Sequence, residues 1–210
     1  MELTANSVDL VNVVREMAAL GLVTGTSGNA SLRLDQKSIL VTPSAYPYDL
    51  LQPQDLVVVN IADNTHQGTR MPSSEVRTHL TIYKARPDVH SILHAHSVFA
   101  SVCAVAGEEV PPIIDEIVVR VGGGVPLAGY QLPGTWELGK SALSALGSRK
   151  AVLLRNHGLL ALGKTSRDAL EICQLVERAA QIFVFSKLLG QYTNIPTHAL
   201  SLEMKLFNST

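Results

Sequence analysis

Leu93-His94-Ala95-His96-Ser97 is the segment of this sequence whose residue types and spacing bear most directly on chemistry. If residues 89–96 form a β-strand, side chains alternate between its faces, so His94 and His96 project to the same side. Two imidazoles one residue apart on one face can meet a single metal ion at roughly 2.0–2.1 Å each. Alone, such a pair is as often an ordinary polar exit from a sheet. A second segment strengthens the case. The apolar run Ala151–Leu154 ends in Arg155-Asn156-His157-Gly158, which would present His157 from the end of a rigid element. Glu75, in Pro72-Ser73-Ser74-Glu75, is the fourth candidate. A carboxylate in the first turn of a helix also suits the free N–H groups and dipole there, worth roughly 0.3–1 kcal/mol. Three histidines and one carboxylate would match a catalytic zinc set with one position open to substrate. His66, His79, His90 and His198 fall in a polar loop, on a helix face, before a strand and in the tail, and read as structural or solvated.

Three further segments suit an anion. Gly25-Thr26-Ser27-Gly28-Asn29 is short, flexible and rich in small polar groups, so successive backbone N–H groups can surround a phosphate. Thr42-Pro43-Ser44-Ala45 follows a strand in the same manner, and Ser73 and Ser74 bring hydroxyls and free N–H groups to a helix N-terminus. Each segment is individually also a glycine turn, a proline turn or a helix cap.

The elements that must position these groups follow from periodicity. Leu10, Val11, Val14, Met17 and Ala18 recur at helical spacing over about residues 7–20, and Gly21 supplies a stop. Residues 30–34, 38–41 and 56–61 read as strands, the last two separated by a proline-rich loop. A helix opened by residues 72–75 must end before Pro87. Val89–His94 reads as a buried strand, Val98–Ala106 as an apolar helix and Ile113–Val119 as another strand. Residues 134–147 are predicted helical, Ala151–Leu154 a strand, and 166–189 a long amphipathic helix with Leu170, Cys173, Val176, Ala180 and Phe183 inward. This order predicts a single α/β domain of the α+β type over residues 1–210, a central mostly antiparallel sheet flanked by helices.

Composition narrows the classes. With 17 basic and 18 acidic residues the net charge is −1, and no basic stripe marks a nucleic-acid surface. A 46% hydrophobic content with mean hydropathy +0.20 implies a large core or an oligomer that hides further apolar surface. The two cysteines, Cys103 and Cys173, lie in apolar predicted helices with no CxxC, which suits a reducing cytoplasm. No signal-peptide pattern or apolar run long enough to span a membrane is evident, so neither nucleic acid nor membrane is an expected partner.

In order and spacing, Gly25-Thr26-Ser27-Gly28-Asn29, Val41-Thr42-Pro43-Ser44-Ala45, Pro72-Ser73-Ser74-Glu75, His94-Ala95-His96 and Asn156-His157-Gly158 resemble the class II aldolase/adducin family over about residues 7–190. The resemblance implies a nine-stranded, mostly antiparallel sheet and a homotetramer with active sites between subunits. It implies Zn2+, with Mn2+ or Co2+ as substitutes, on His94, His96 and His157, and Glu75 as a ligand that becomes the acid/base. Gly28, Asn29, Ser44, Ala45, Ser73 and Ser74 would hold the phosphate of a small sugar substrate. The implied reaction is cleavage of a ketose 1-phosphate to dihydroxyacetone phosphate and an aldehyde.

Two departures bear on the reaction. Where sugar-phosphate aldolases of this family carry a proton-donating tyrosine downstream of the HxH pair, this chain has Asp115, and no tyrosine stands in its last residues, Lys205–Thr210. Asp115 or Glu116, raised by burial, is the expected replacement acid, one on each side of a strand. A glutamate at the Glu116 position also resembles the family's methylthioribulose-1-phosphate dehydratases, so dehydration competes with aldol cleavage. A non-catalytic adducin-like module is the third alternative.

Overall fold

The computed structural model describes residues 5–209. One eight-stranded sheet runs through the molecule, built from β1 (Asn29–Arg33), β2 (Ser38–Val41), β3 (Val57–Asn60), β4 (His66–Gln67), β5 (Ser91–Ala95), β6 (Leu127–Ala128), β7 (Ala151–Leu154) and β8 (Gly158–Gly163). Its order is β4-β3-β2-β1-β5-β8-β7-β6, and every pair is antiparallel except β6 with β7. The predicted architecture holds, with eight strands among the described residues in place of nine. Seven α-helices flank the sheet: α1 (Ala5–Ala19), α2 (Val76–Ala85), α3 (Val98–Ala106), α4 (Asp115–Val121), α5 (Trp136–Leu146), α6 (Ser166–Leu188) and α7 (Thr197–Ser209).

Alternation along the central strands makes two cores. Leu93 and Ala95 of β5, Ala151 and Leu153 of β7, and Leu159 and Ala161 of β8 face α1, α3, α4 and α6. Ile92, Val152, Leu154, Leu160 and Leu162 face α2 and α5. His94 lies between Leu93 and Ala95, so the two-residue period of the strand turns it to the α2 side. That is the side from which Glu75 comes.

Helix ends follow local chemistry. Gly21, at φ +70, closes α1: its N–H donates to Ala18 and that of Leu22 to Met17, a Schellman pattern. Thr165 caps α6 by accepting from the Asp168 N–H at 3.0 Å. Cys103 and Cys173 are both buried and unpaired in α3 and α6, as expected from sequence.

Residues 113–119 correct the prediction. They are not a strand; Asp115–Val121 is helix α4. The β-branched run suggested a strand, but the buried residues Ile117, Val118 and Val121 follow helical spacing. Asp115 and Glu116 occupy the first turn, where negative charge suits the dipole, and Gly122 ends the helix in the left-handed region. Besides the two-residue strands β4 and β6, two longer elements escaped the sequence reading. β8 is apolar on both faces and carries no alternation, and α7, in the tail, has no fully buried residue.

Candidate metal centre

His94 belongs to β5, whose register sets Asn29 of β1 directly opposite it. His96 stands just past the strand end, its N–H donating to the Leu22 carbonyl at 3.0 Å. Helix α3 begins two residues later, and its N-terminus is held from a distance. The Glu177 carboxylate of α6 accepts the N–H groups of Phe99 and Ala100 at 2.9 Å each. His157 lies in the tight turn of the β7–β8 hairpin, after Asn156 in the left-handed conformation at φ +57. Asparagine tolerates that conformation better than most residues, and it is the sequence signal that could have marked this turn.

The three imidazoles converge on one another. His94 Nε2 is 2.9 Å from His96 Nε2 and 3.2 Å from His157 Nε2. Glu75 Oε1 stands 3.4 Å from His94 Nε2 and 3.6 Å from His157 Nε2. All four ligand atoms lie within 4.8 Å of one another. Two metal-bound nitrogens at roughly 2.0–2.1 Å in tetrahedral geometry are separated by about 3.3 Å, close to the spacing seen. His94 Nδ1 faces the Leu159 carbonyl at 3.0 Å. A carbonyl only accepts, so Nδ1 carries the hydrogen and Nε2 offers its lone pair to the cluster.

Glu75 occupies the N-cap position of α2, yet its side chain makes no capping hydrogen bond. The electrostatic role first considered for it, supporting the helix end, therefore gives way to the histidines. Burial alone would raise its carboxyl. The neighbouring His94 and His157 imidazoles outweigh that and hold it below the ordinary carboxylate range. Burial, then the neighbouring His94 and His157, push His96 down to about 4 despite Glu75. A neutral His96 and an ionised Glu75 are protonation states that a divalent cation requires.

Steric detail fits the same use. A Cβ on Gly158 would collide with the Ala95 carbonyl and come within 3.0 Å of His96 Cδ2 and 3.3 Å of His94 Cε1. On Gly28, at φ +74, it would stand 2.5 Å from the His94 carbonyl oxygen. Both glycines let backbone approach the histidine strand. Asn29 Oδ1 and His157 Nδ1 are buried with no hydrogen-bond partner among the described residues. Buried polar atoms are normally satisfied; Asn29 stands opposite His94 in the sheet, whereas His157 Nδ1 is the ring nitrogen not turned toward the cluster.

The phosphate candidates gather beside this cluster. Thr42 joins β1 through hydrogen bonds to Ala30, and the 42–45 and 71–74 segments are bonded backbone to backbone, Ser73 N–H to Thr42 and Ser44 N–H to Met71, each 3.0 Å. Ser44, Ala45 and Ser74 are exposed, while Ser73 is buried. Ala45 adopts φ +50. One expectation is narrowed here. The Ser44 and Ser73 N–H groups are not free, because they bond the two segments together, and Ser73 Oγ accepts from the Glu75 N–H at 3.3 Å. Their hydroxyl hydrogens remain available to an anion.

Asp115 and Glu116 do not join the cluster within this chain. Glu116 is 55% exposed and pairs with Arg178 of α6 at 3.3 Å, while Asp115 is exposed and interacts with Glu203 of α7. The reason is the helix: it turns both carboxylates to solvent and to neighbouring helices, where a strand would have sent one inward. His66, His90 and His198 are exposed. His79 is fully buried, hydrogen-bonded to Ser31 Oγ at 2.6 Å, in keeping with a structural role.

A mixed sheet that delivers three histidines and a helix-end glutamate to one point defines a protein with donors able to hold a divalent metal. Comparison with known proteins agrees. Residues 8–184 match the class II aldolase and adducin N-terminal domain. The L-fuculose phosphate aldolase of Escherichia coli (strain K12) is 35% identical over 175 residues, 83% of this chain and 80% of that protein. The 5-deoxy-D-ribulose 1-phosphate aldolase of Bacillus thuringiensis serovar kurstaki is 32% identical over 200 residues, 95% of this chain and 93% of that one. A solved structure of L-fuculose 1-phosphate aldolase superposes with a TM-score of 0.93 at 32% identity, covering 99% of this chain and 98% of that one. The chain belongs to the class II aldolase/adducin family and is an enzyme of its aldolase, carbon–carbon lyase, type.

Proposed function

We propose that this protein is a zinc-dependent aldolase cleaving a ketose 1-phosphate, such as L-fuculose 1-phosphate, to dihydroxyacetone phosphate and a small aldehyde. The observation that carries the reading is the convergence of Glu75, His94, His96 and His157 within 4.8 Å, with the His94 lone pair aimed inward. Three imidazoles favour zinc over harder cations, with Mn2+ or Co2+ as substitutes. When bound, the ion supplies Lewis-acid stabilisation to negative charge developing on the sugar oxygens. Glu75, ionised and only partly buried, takes and returns the proton at carbon. Gly28, Asn29, Ser44, Ala45, Ser73 and Ser74 hold the phosphate and so orient the C3–C4 bond.

The position of Glu116 on the surface of α4, paired with Arg178, favours aldol cleavage by Glu75 over a dehydration that relies on Glu116. The ligand set favours an enzyme over an adducin-like module. A cytoplasmic homotetramer is the natural setting. No helix among the described residues is long and apolar enough to cross a membrane. Val98, Val102 and Val105 form an exposed apolar stripe on α3 suited to a second copy.

The test measures bound metal on protein purified without chelator, beside His94→Ala and His157→Ala, and assays dihydroxyacetone phosphate release. About one divalent ion per chain, absent from both variants, with dihydroxyacetone phosphate formed from L-fuculose 1-phosphate or 5-deoxyribulose 1-phosphate, is the expected result. A folded wild-type protein that takes up no added zinc would refute the reading. Turnover of such a sugar without dihydroxyacetone phosphate would replace aldol cleavage with dehydration.

A further inference from the structure

The anion cradle has three chain segments, and they are not joined alike. The 42–45 and 71–74 segments are stitched by main-chain hydrogen bonds, Ser44 N–H to Met71 and Ser73 N–H to Thr42. The third, residues 24–28, holds itself together internally: Ser27 N–H donates to Thr24 at 3.1 Å, and Thr24 N–H to Ser27 Oγ at 3.0 Å. Its glycines, Gly25 and Gly28, both take positive φ. Such a loop needs an outside anchor to present its N–H groups in one arrangement.

That anchor is Tyr48. Its phenol donates to the Ser27 carbonyl at 3.1 Å, across 21 residues of sequence. Its ring is buried, 5% exposed, in the core beneath α1. Its own backbone is held in turn by Arg15 of α1, which donates through Nε to the Tyr48 carbonyl at 3.3 Å and through its second amino nitrogen to Leu51 at 2.6 Å. Burial, followed by the nearby Glu75 charge, pushes the phenol above its ordinary range. The hydroxyl therefore stays protonated and keeps donating. Arg15, Tyr48 and Ser27 form one line of hydrogen bonds from helix α1 to the tip of the glycine loop.

We infer that Tyr48 is a positioning residue for substrate phosphate: it holds the 24–28 loop against the 42–48 segment so that the cradle is formed before the anion arrives. This rests on the sugar-phosphate reading of the site. A preformed cradle contributes to binding, so its loss raises KM more than it lowers kcat. Removing one neutral hydrogen bond corresponds to about 3- to 10-fold.

The experiment compares wild type with Tyr48→Phe, which keeps the ring and removes only the donor. The readouts are zinc content, melting temperature, the dissociation constant for inorganic phosphate, and KM and kcat for L-fuculose 1-phosphate. Weaker phosphate binding and higher KM by about 3- to 10-fold, with zinc content retained and kcat changed less than KM, is expected. Unchanged phosphate affinity and KM in Tyr48→Phe would overturn the inference while leaving the aldolase reading intact. A uniform loss of stability, zinc and kcat would overturn it too, since that is what a packing role predicts. If Tyr48→Phe does not fold, Arg15→Gln loosens the same line from its other end, and unchanged phosphate affinity there is equally fatal. A zinc-loaded wild type that binds no phosphate removes the cradle, and this inference with it.

Discussion

His94 is set by Leu159: the imidazole Nδ1–H donates to the Leu159 carbonyl at 3.0 Å, and the opposite nitrogen is thereby turned toward His96 and His157. The two residues belong to β5 and β8, which are paired with His94 opposite Leu160. The sheet register thus chooses the histidine tautomer as well as its direction. A metal centre built this way depends on the β7–β8 hairpin as much as on the ligands themselves.

Gly158 is the position where that dependence is easiest to expose. A methyl group there meets the Ala95 carbonyl and the rings of His96 and His94. Backbone cannot yield as a flexible side chain can, so Gly158→Ala should cost about 1–3 kcal/mol. Its zinc affinity should fall by 10-fold or more, on the scale of disturbed metal surroundings. Urea unfolding and competitive zinc titration check the two effects, and a variant with wild-type affinity would show that the hairpin adjusts freely.

Glu75→Gln keeps the size of the side chain and removes its charge and basicity. Glu75 makes no capping bond to α2, but its carboxylate is held ionised among the histidines, so melting temperature should fall as that pairing is lost while the protein stays folded. Turnover should fall by about 10²- to 10⁴-fold, the range for a positioned acid/base group. Steady-state kinetics on zinc-reconstituted protein decides it, and retention of more than a tenth of kcat would remove Glu75 from the proton transfer.

Glu116→Gln should leave aldol cleavage within about twofold and stability within about 1 kcal/mol, since it breaks only an exposed pair with Arg178. Asp115→Asn should behave similarly, because Asp115 sits on the same solvent-facing turn. A large fall in kcat for either would mean that a neighbouring subunit brings these carboxylates to the reaction.

His79 gives the protein an acid-side weakness separate from its ligands. Burial, then the neighbouring His94, lowers its pKa from 6.5 to about 3 against a weaker opposing pull from Glu75. The group facing it is the Ser31 hydroxyl, which also meets Tyr83 at 3.0 Å. A lowered pKa means the unfolded chain binds the proton first. Stability is therefore complete above about pH 6.5 and falls as pH drops from there toward 3, at about 1.4 kcal/mol per pH unit. Between pH 7 and pH 5 the loss from this residue is about 2 kcal/mol. Urea unfolding at both values should show wild type losing about that much more than His79→Gln; parallel losses would refute it.

Much of the candidate site was readable from local pattern. Strand alternation places His94 and His96 on one face whatever the rest of the fold does, and an apolar strand ending in Asn156-His157-Gly158 announces a presented side chain. Core helices and central strands followed from apolar periodicity, and the glycine and serine segments from their composition. Local pattern misled at residues 113–119, where β-branched residues suit a strand but packing against α6 and α7 selected a helix. It was silent on β8, because a run apolar on both faces has no period to detect.

What tertiary structure alone decided is which groups meet. His157 reaches the HxH pair across 63 residues because β8 inserts between β5 and β7. Glu75 turns from helix cap to candidate ligand because α2 packs on the face to which His94 points. Tyr48 anchors Ser27, and Glu177 caps α3, through contacts that no spacing in the chain encodes. Periodicity records which side of an element is buried, since burial acts residue by residue along one strand or helix. Register and helix placement depend on the free energy of the whole packed sheet, and it is these that bring the four donor atoms together.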